Sequence, residues 1–146
     1  MTPQLIELVA ILACTLFTGA AVYITAVEHP ARLSCGPEIA AAQWAPSYKR
    51  ATVMQASLAV VAGLFGMARG VQGGGALWVW AAALILAVVP FTLIVIRPTN
   101  NRLLDPRRDR RSDETLELLK SWGRLHAVRS VLSVGASILL VWAATQ

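Results

Sequence analysis

The sequence predicts an all-α fold, an integral membrane four-helix bundle, on three observations. Hydrophobic residues make up 56% of the 146 positions and charged residues only 14%, where a soluble domain carries about 25% charge. The charges are gathered into a few blocks. Between the blocks lie four uncharged runs, 8–27, 51–68, 70–96 and 130–146, of 20, 18, 27 and 17 residues. A helix rises about 1.5 Å per residue, so roughly 20 residues cross a hydrocarbon core of about 30 Å. The first three runs suffice, and the fourth does so once its helix starts upstream. A soluble bundle needs a polar face on each helix, and these runs have none. The length suits one domain, so residues 1–146 are read as a single transmembrane domain.

The first helix is expected over about 3–27, ending at Glu28-His29-Pro30, because a proline disfavours helix at the residue before it. It reads as a retained helix rather than a leader, since no Lys or Arg precedes the apolar run and no small-x-small site follows it cleanly. Gly36-Pro37-Glu38 marks a fresh start with proline at a first helical position. A short interfacial helix is expected over about 37–45, with Trp44 and Tyr48 at headgroup level. The second span is expected over about 46–69, and residues 70–75 form a tight external turn. The third is expected over about 76–96, with Trp78 and Trp80 at its outer end. Pro90 frees the carbonyl of Leu86, so a kink is expected there. Arg97-Pro98-Thr99-Asn100-Asn101 closes this span. Ser112, followed by Asp113 and Glu114, is an N-cap with acids in the first turn, and the fourth helix is expected over about 113–144. Small residues on the first two helices (Gly19, Ala20, Ala21, Ala56, Ser57, Gly63) let backbones pack closely.

With four spans, 12 of the 13 basic residues fall on one side and only Arg69 on the other. The positive-inside rule puts both long connections in the cytoplasm and both termini outside, in a multi-pass arrangement in the cell (inner) membrane. The net charge of +5 then implies a bilayer with an anionic cytoplasmic leaflet as partner. Nucleic acid is excluded as a partner: Asp105, Asp109 and Asp113 interrupt the arginines at 107–111, and no aromatic platform is interleaved. Cys14 and Cys35 fall at different depths in a reducing context and are not expected to bridge.

Chemistry is expected at the cytoplasmic mouth. Trp122, His126, Arg129 and Ser133 recur at helical spacing on one face. A charge inside a span costs roughly 2.5–3.5 kcal/mol on insertion scales and almost always looks inward, so His126 and Arg129 face the bundle interior. Glu28, His29, Thr99, Asn100 and Asn101 reach the same level. Bland readings stand beside this one. Glu28 pairs with Arg129 and holds the first helix to the fourth, His126 bonds a carbonyl, the asparagines cap the third helix, and the tryptophans form interfacial belts.

Four segments carry a resemblance: Glu-His-Pro-Ala-Arg-Leu at 28–33, Trp44 with Pro46-Ser47-Tyr48-Lys49-Arg50, Arg-Pro-Thr-Asn-Asn-Arg-Leu at 97–103, and Trp-x-x-x-His-x-x-Arg at 122–129. In these, over nearly the whole chain and in order, the sequence resembles the DUF1772 family of small membrane proteins, which includes the anthrone oxygenases of polyketide pathways. The resemblance implies a four-span bundle and an oxidoreductase acting on a hydrophobic small molecule, a flat aromatic ketone, without a bound cofactor. Such a reaction needs a general base, donors for an enolate oxygen and a dry apolar slot. His126 or His29 would be the base, with an ordinary imidazole pKa near ~6.5. Arg129 with Asn100 or Asn101 would hold the oxyanion. Trp122 would stack on the ring, Glu28 would orient a histidine, and Thr99 would line the substrate. Two other classes stay open. One is a single metal ion or a haem on His29 and His126, with Glu28 as a further metal ligand. The other is a non-enzymatic membrane binding or assembly protein. A homo-oligomer also stays open, and a transporter would require one.

Overall fold

The computed structural model describes residues Met1–Gln146 and contains helices and turns without a strand. Helix α1 spans Pro3–Ser34, α2 Pro37–Arg69, α3 Ala76–Leu104 and α4 Asp113–Ala144. Each packs against its neighbours in the chain, and α4 closes the ring against α1. All four are long and apolar enough to cross a membrane, which fits a multi-pass membrane protein. Large apolar side chains such as Leu8, Leu16, Ile94, Val131 and Ile138 point outward from the bundle, a surface that water would not tolerate as one continuous belt.

The prolines end fewer helices than the sequence suggests. Pro30 lacks an N–H, and its ring would meet the carbonyl of Ala26 in a regular helix. A widened, π-type turn at Ile24–Glu28, with the His29 N–H reaching the Ile24 carbonyl, makes the room. So α1 runs on to Ser34 instead of stopping at 27. The same device at Thr92–Ile96, where the Arg97 N–H reaches Thr92, carries α3 through Pro98 to Leu104. Pro90 lies within regular helix, and the departure comes one turn later. Pro46 is likewise absorbed, so 37–45 is the first part of α2 and not a separate interfacial helix.

Small residues set the approach of α2 to α3. A Cβ on Gly63 would collide with the Leu86 side chain, and one on Gly66 would press on Ala82. Gly19, by contrast, faces open space. Two apolar cores result. One, around Phe17, Ala62, Trp78, Ile85 and Leu140, fills the end near the termini. The other, around Trp44, Ile96, Leu103, Leu119 and Trp122, fills the opposite end. Trp44 and Trp78 are therefore core residues rather than belt residues, while Trp80 and Trp142 face outward. Arg69, the lone basic residue at its end, pairs with Glu7 at 2.6 Å. The connection before α4 is tied down by Arg111 on Glu38 at 2.9 and 3.1 Å and by Arg102 and Arg108 on Glu114.

Candidate functional site

The polar side chains collect between the two cores, and the widened turn in α1 sets their register. Beyond that turn, His29 faces α4, and its Nε2–H donates to the Leu119 carbonyl at 2.9 Å. That carbonyl accepts an outside donor because Gly123 leaves space: a Cβ there would lie 2.6 Å from the His29 ring. Gly123→Ala is accordingly expected to displace the imidazole and destabilise the bundle by about 1–3 kcal/mol, as overpacking does. A thermal melt in detergent that matches the wild type would contradict this. The other nitrogen of His29, Nδ1, lies 3.4 Å from Arg32 Nη1. Arg32 is buried and held by Glu28 at 2.5 Å and by the Gln43 side-chain oxygen. Glu28 also accepts from Gln43 Nε2 and Ser47 Oγ at 3.0 Å each. So Glu28 does not pair with Arg129. It orients a histidine only through Arg32, and His29 has both nitrogens engaged.

His126 is held differently. A chain of hydrogen bonds runs from it across the α1–α4 interface: His126 Nδ1 to Thr25 Oγ1 at 3.0 Å, Thr25 to Ser130 Oγ at 2.8 Å, and Ser130 to the Ala21 carbonyl at 3.0 Å. A carbonyl only accepts, so the Ser130 proton goes to Ala21. Ser130 then accepts from Thr25, and Thr25 accepts from His126. The direction is fixed from the far end, and it makes His126 the Nδ1–H tautomer. Its Nε2 is left with a lone pair and no hydrogen bond within the protein. Around it, Trp122 stacks on His126 at 4.8 Å between ring centres and tilts against His29 at 5.0 Å. Trp44 meets Trp122 edge-on and stacks on Tyr48.

Arg129 is 9% exposed and donates from Nη2 to Gln55 Oε1 at 2.8 Å; Gln55 itself is 1% exposed. A guanidinium offers donors only, so the amide oxygen must face it and the amide Nε2 must turn away. The Arg129 Nε and Gln55 Nε2 are both buried without a partner, as are Trp44 Nε1 and the Asn100 side-chain oxygen. Each such group costs roughly 1–3 kcal/mol if left unsatisfied. Phe17 supports the Arg129 guanidinium from below, with 5.5 Å from Cζ to the ring centre.

Three spaces touch this cluster. A void of about 10 Å³ lies among Trp44, Tyr48, Gln55, Trp122, His126 and Arg129, too small for any ring. A pocket of about 90 Å³ between α2 and α3 is walled by Phe17, Gln55, Ala56, Val88, Leu93 and Arg129. An open groove of about 530 Å³ runs between α1 and α2, past Tyr23, Glu28, Gln43, Ser47 and Arg50. No three His, Cys, Asp or Glu side chains gather closely enough to hold a metal ion.

Of the residues that the sequence singles out, His29, His126, Arg129, Trp122 and Asn100 are buried together, with Glu28 and Thr99 at the margin. Asn101 is exposed and stays outside the cluster. Asn100 donates one of its two amide N–H groups to the Tyr48 hydroxyl at 3.0 Å, and its buried side-chain oxygen has no partner. Sequence reasoning missed Gln55, Thr25, Ser130 and Arg32. Gln55 had a signal, as an amide within an uncharged run. The two hydroxyls had none, because serine and threonine are ordinary in spans.

Comparison with known proteins bears on what this cluster does. The family model described as anthrone oxygenase matches residues 44–139, a stretch that contains Gln55, Asn100, Trp122, His126 and Arg129. A protein named anthrone oxygenase from Claviceps purpurea is 28% identical over 94% of this chain and 87% of its own length. One named anthrone oxygenase tpcL from Aspergillus fumigatus is 37% identical over 46% of this chain and 44% of its own. No solved structure matches the chain. With a family model covering most of its length and the buried cluster lying largely within the match, the chain belongs to the anthrone oxygenase family.

Proposed function

We propose that this protein is a membrane-embedded oxygenase that oxidises a flat, hydrophobic, anthrone-type ketone with dioxygen, using acid–base chemistry of its own side chains and no bound cofactor. The observation that carries the reading is the directed chain from Ala21 through Ser130 and Thr25 to His126. It presents the one histidine nitrogen in the cluster that is free to take a proton. A general base needs that: a lone pair, a fixed tautomer and a partner for the other nitrogen. His126, rather than His29, is the base in this reading.

The reaction balances without a further reagent. His126 Nε2 takes a proton from the ring methylene opposite the ketone, and the carbonyl becomes an enolate oxygen. Dioxygen adds at the carbon that lost the proton. The resulting peroxide takes a proton and loses water, so one ketone and one O₂ give one quinone and one H₂O. The protein supplies the base, donors for the enolate oxygen and apolar walls.

The membrane reading goes with it. The helices lie in the cell membrane with both long connections on the cytoplasmic side, where the basic residues meet anionic lipid, and with both termini outside. The ketone partitions into the bilayer and reaches the protein from there. The experiment is oxygen uptake and quinone absorbance with purified full-length protein in lipid nanodiscs, supplied with anthrone. Stoichiometric quinone from metal-depleted protein is the expected result. Oxidation no faster than in empty nanodiscs would overturn the proposal and leave a binding or assembly role.

A further inference from the structure

We infer that Gln55 and Arg129 together form a carbonyl-binding site that is reached sideways, from the hydrocarbon phase, between α2 and α3. The inference rests on the membrane reading above and gives that site its ligand: a hydrophobic ketone whose oxygen takes both free N–H groups.

Three observations converge. Gln55 Nε2 and Arg129 Nε are buried donors without partners, and both residues wall the pocket of about 90 Å³. Their own hydrogen bond, Arg129 Nη2 to Gln55 Oε1 at 2.8 Å, holds the pair together without using either spare donor. The other walls are mostly apolar, with Phe17, Ala56, Ala59, Val88, Val89 and Leu93; Thr52 and Thr92 complete them, and the Thr92 hydroxyl is spent on the Val88 carbonyl at 2.6 Å. A site with two unspent donor groups, no acid and mostly apolar walls suits a neutral oxygen acceptor on an apolar frame, or its enolate, and does not suit a cation.

The outer residues of the pocket show its opening. Ala56 and Leu93 are exposed, while Gln55 and Phe17 at the back are buried. The mouth therefore faces the same surroundings as the apolar outer belt. A ketone that dissolves in the bilayer can enter oxygen first and leave its far rings in lipid, so the pocket need not enclose the whole molecule.

The test uses 9-fluorenone, a flat ketone with no acidic methylene, so that binding is read without turnover. Full-length protein in lipid nanodiscs is titrated, and the carbonyl stretch is followed by infrared difference spectroscopy. Saturable binding with the band shifted to lower frequency than in empty nanodiscs is expected. Gln55→Leu should return the band toward its lipid position and weaken binding about tenfold, as loss of one charge-coupled donor does. Ala56→Trp blocks the mouth, touches neither donor and sits on the exposed face, so it should fold and weaken binding at least as much. An unshifted band at saturation, or both variants binding like the wild type, would overturn the site. A shifted band in a protein that does not oxidise anthrone upholds the site and sinks the proposed activity. Oxidation that both variants leave untouched does the opposite.

Discussion

His126→Asn is expected to lower kcat/KM for anthrone oxidation by about 10²- to 10⁴-fold, the usual worth of a positioned general base. Asparagine is the informative replacement because its amide nitrogen stands near where Nδ1 stood. It can still donate to Thr25, so the chain to Ser130 and Ala21 keeps its direction while the lone pair of Nε2 is gone. Stability should change little, and the test is therefore a split: quinone formation falls while the thermal midpoint and fluorenone binding persist. Activity within about threefold of the wild type would remove His126 from the role of base. Loss of binding together with activity would make it a packing residue instead. His29→Asn serves as the comparison. His29 is committed to the Leu119 carbonyl and faces Arg32, so its replacement should lower stability more than turnover.

Ser130→Ala and Thr25→Val should each reduce kcat by about tenfold to a hundredfold with little effect on KM, through the tautomer of His126. The effect is the one seen when a group that orients a catalytic imidazole is lost. Without Ser130, the Thr25 hydroxyl has lost its acceptor and is free to donate to Nδ1, which moves the imidazole proton to Nε2 and removes the base. Thr25→Val removes the acceptor outright and leaves a buried N–H unpaired. These are positioning residues and never touch the ketone, so the decisive measurement is spectroscopic. Nitrogen-15 chemical shifts of labelled histidine should report His126 protonated at Nδ1 in the wild type and at Nε2 in Ser130→Ala. Ser130→Thr, which keeps the hydroxyl, should restore both the shift and the rate. A wild-type protein with the proton on Nε2 would refute the directed chain, whatever the rates.

The two histidines show how far sequence reasoning reaches. Both stand in motifs, both fall at the same end of the chain's spans, and nothing in their neighbours ranks one over the other. The difference lies in partners that are remote along the chain: Leu119, ninety positions from His29, and Thr25, 101 positions from His126. Gly123 was equally silent. A glycine inside a helical pattern normally weakens the helix, and only the His29 ring lying against it explains its presence. Gln55 was within reach, since an amide in an apolar span signals an inward-facing role.

What the sequence by itself determined is the fold class and the inward face of the last helix. Long uncharged runs demand four helices that satisfy their own backbone groups in an apolar medium, and a single arginine at 129 is enough to say which face of α4 turns inward. What only the tertiary structure decided is where the helices end and which polar atoms are spent. The prolines at 30 and 98 read locally as stops. They are absorbed because packing against neighbouring helices supports a widened turn more cheaply than a broken one. Both nitrogens of His29, read as a candidate base, are engaged, and an N–H of Asn100 is spent on Tyr48; buried donors of Gln55 and Arg129 are left over. Hydrogen bonds between helices depend on distances that no local pattern encodes, so the site's chemistry, unlike its membrane-spanning frame, exists only once the four helices are assembled.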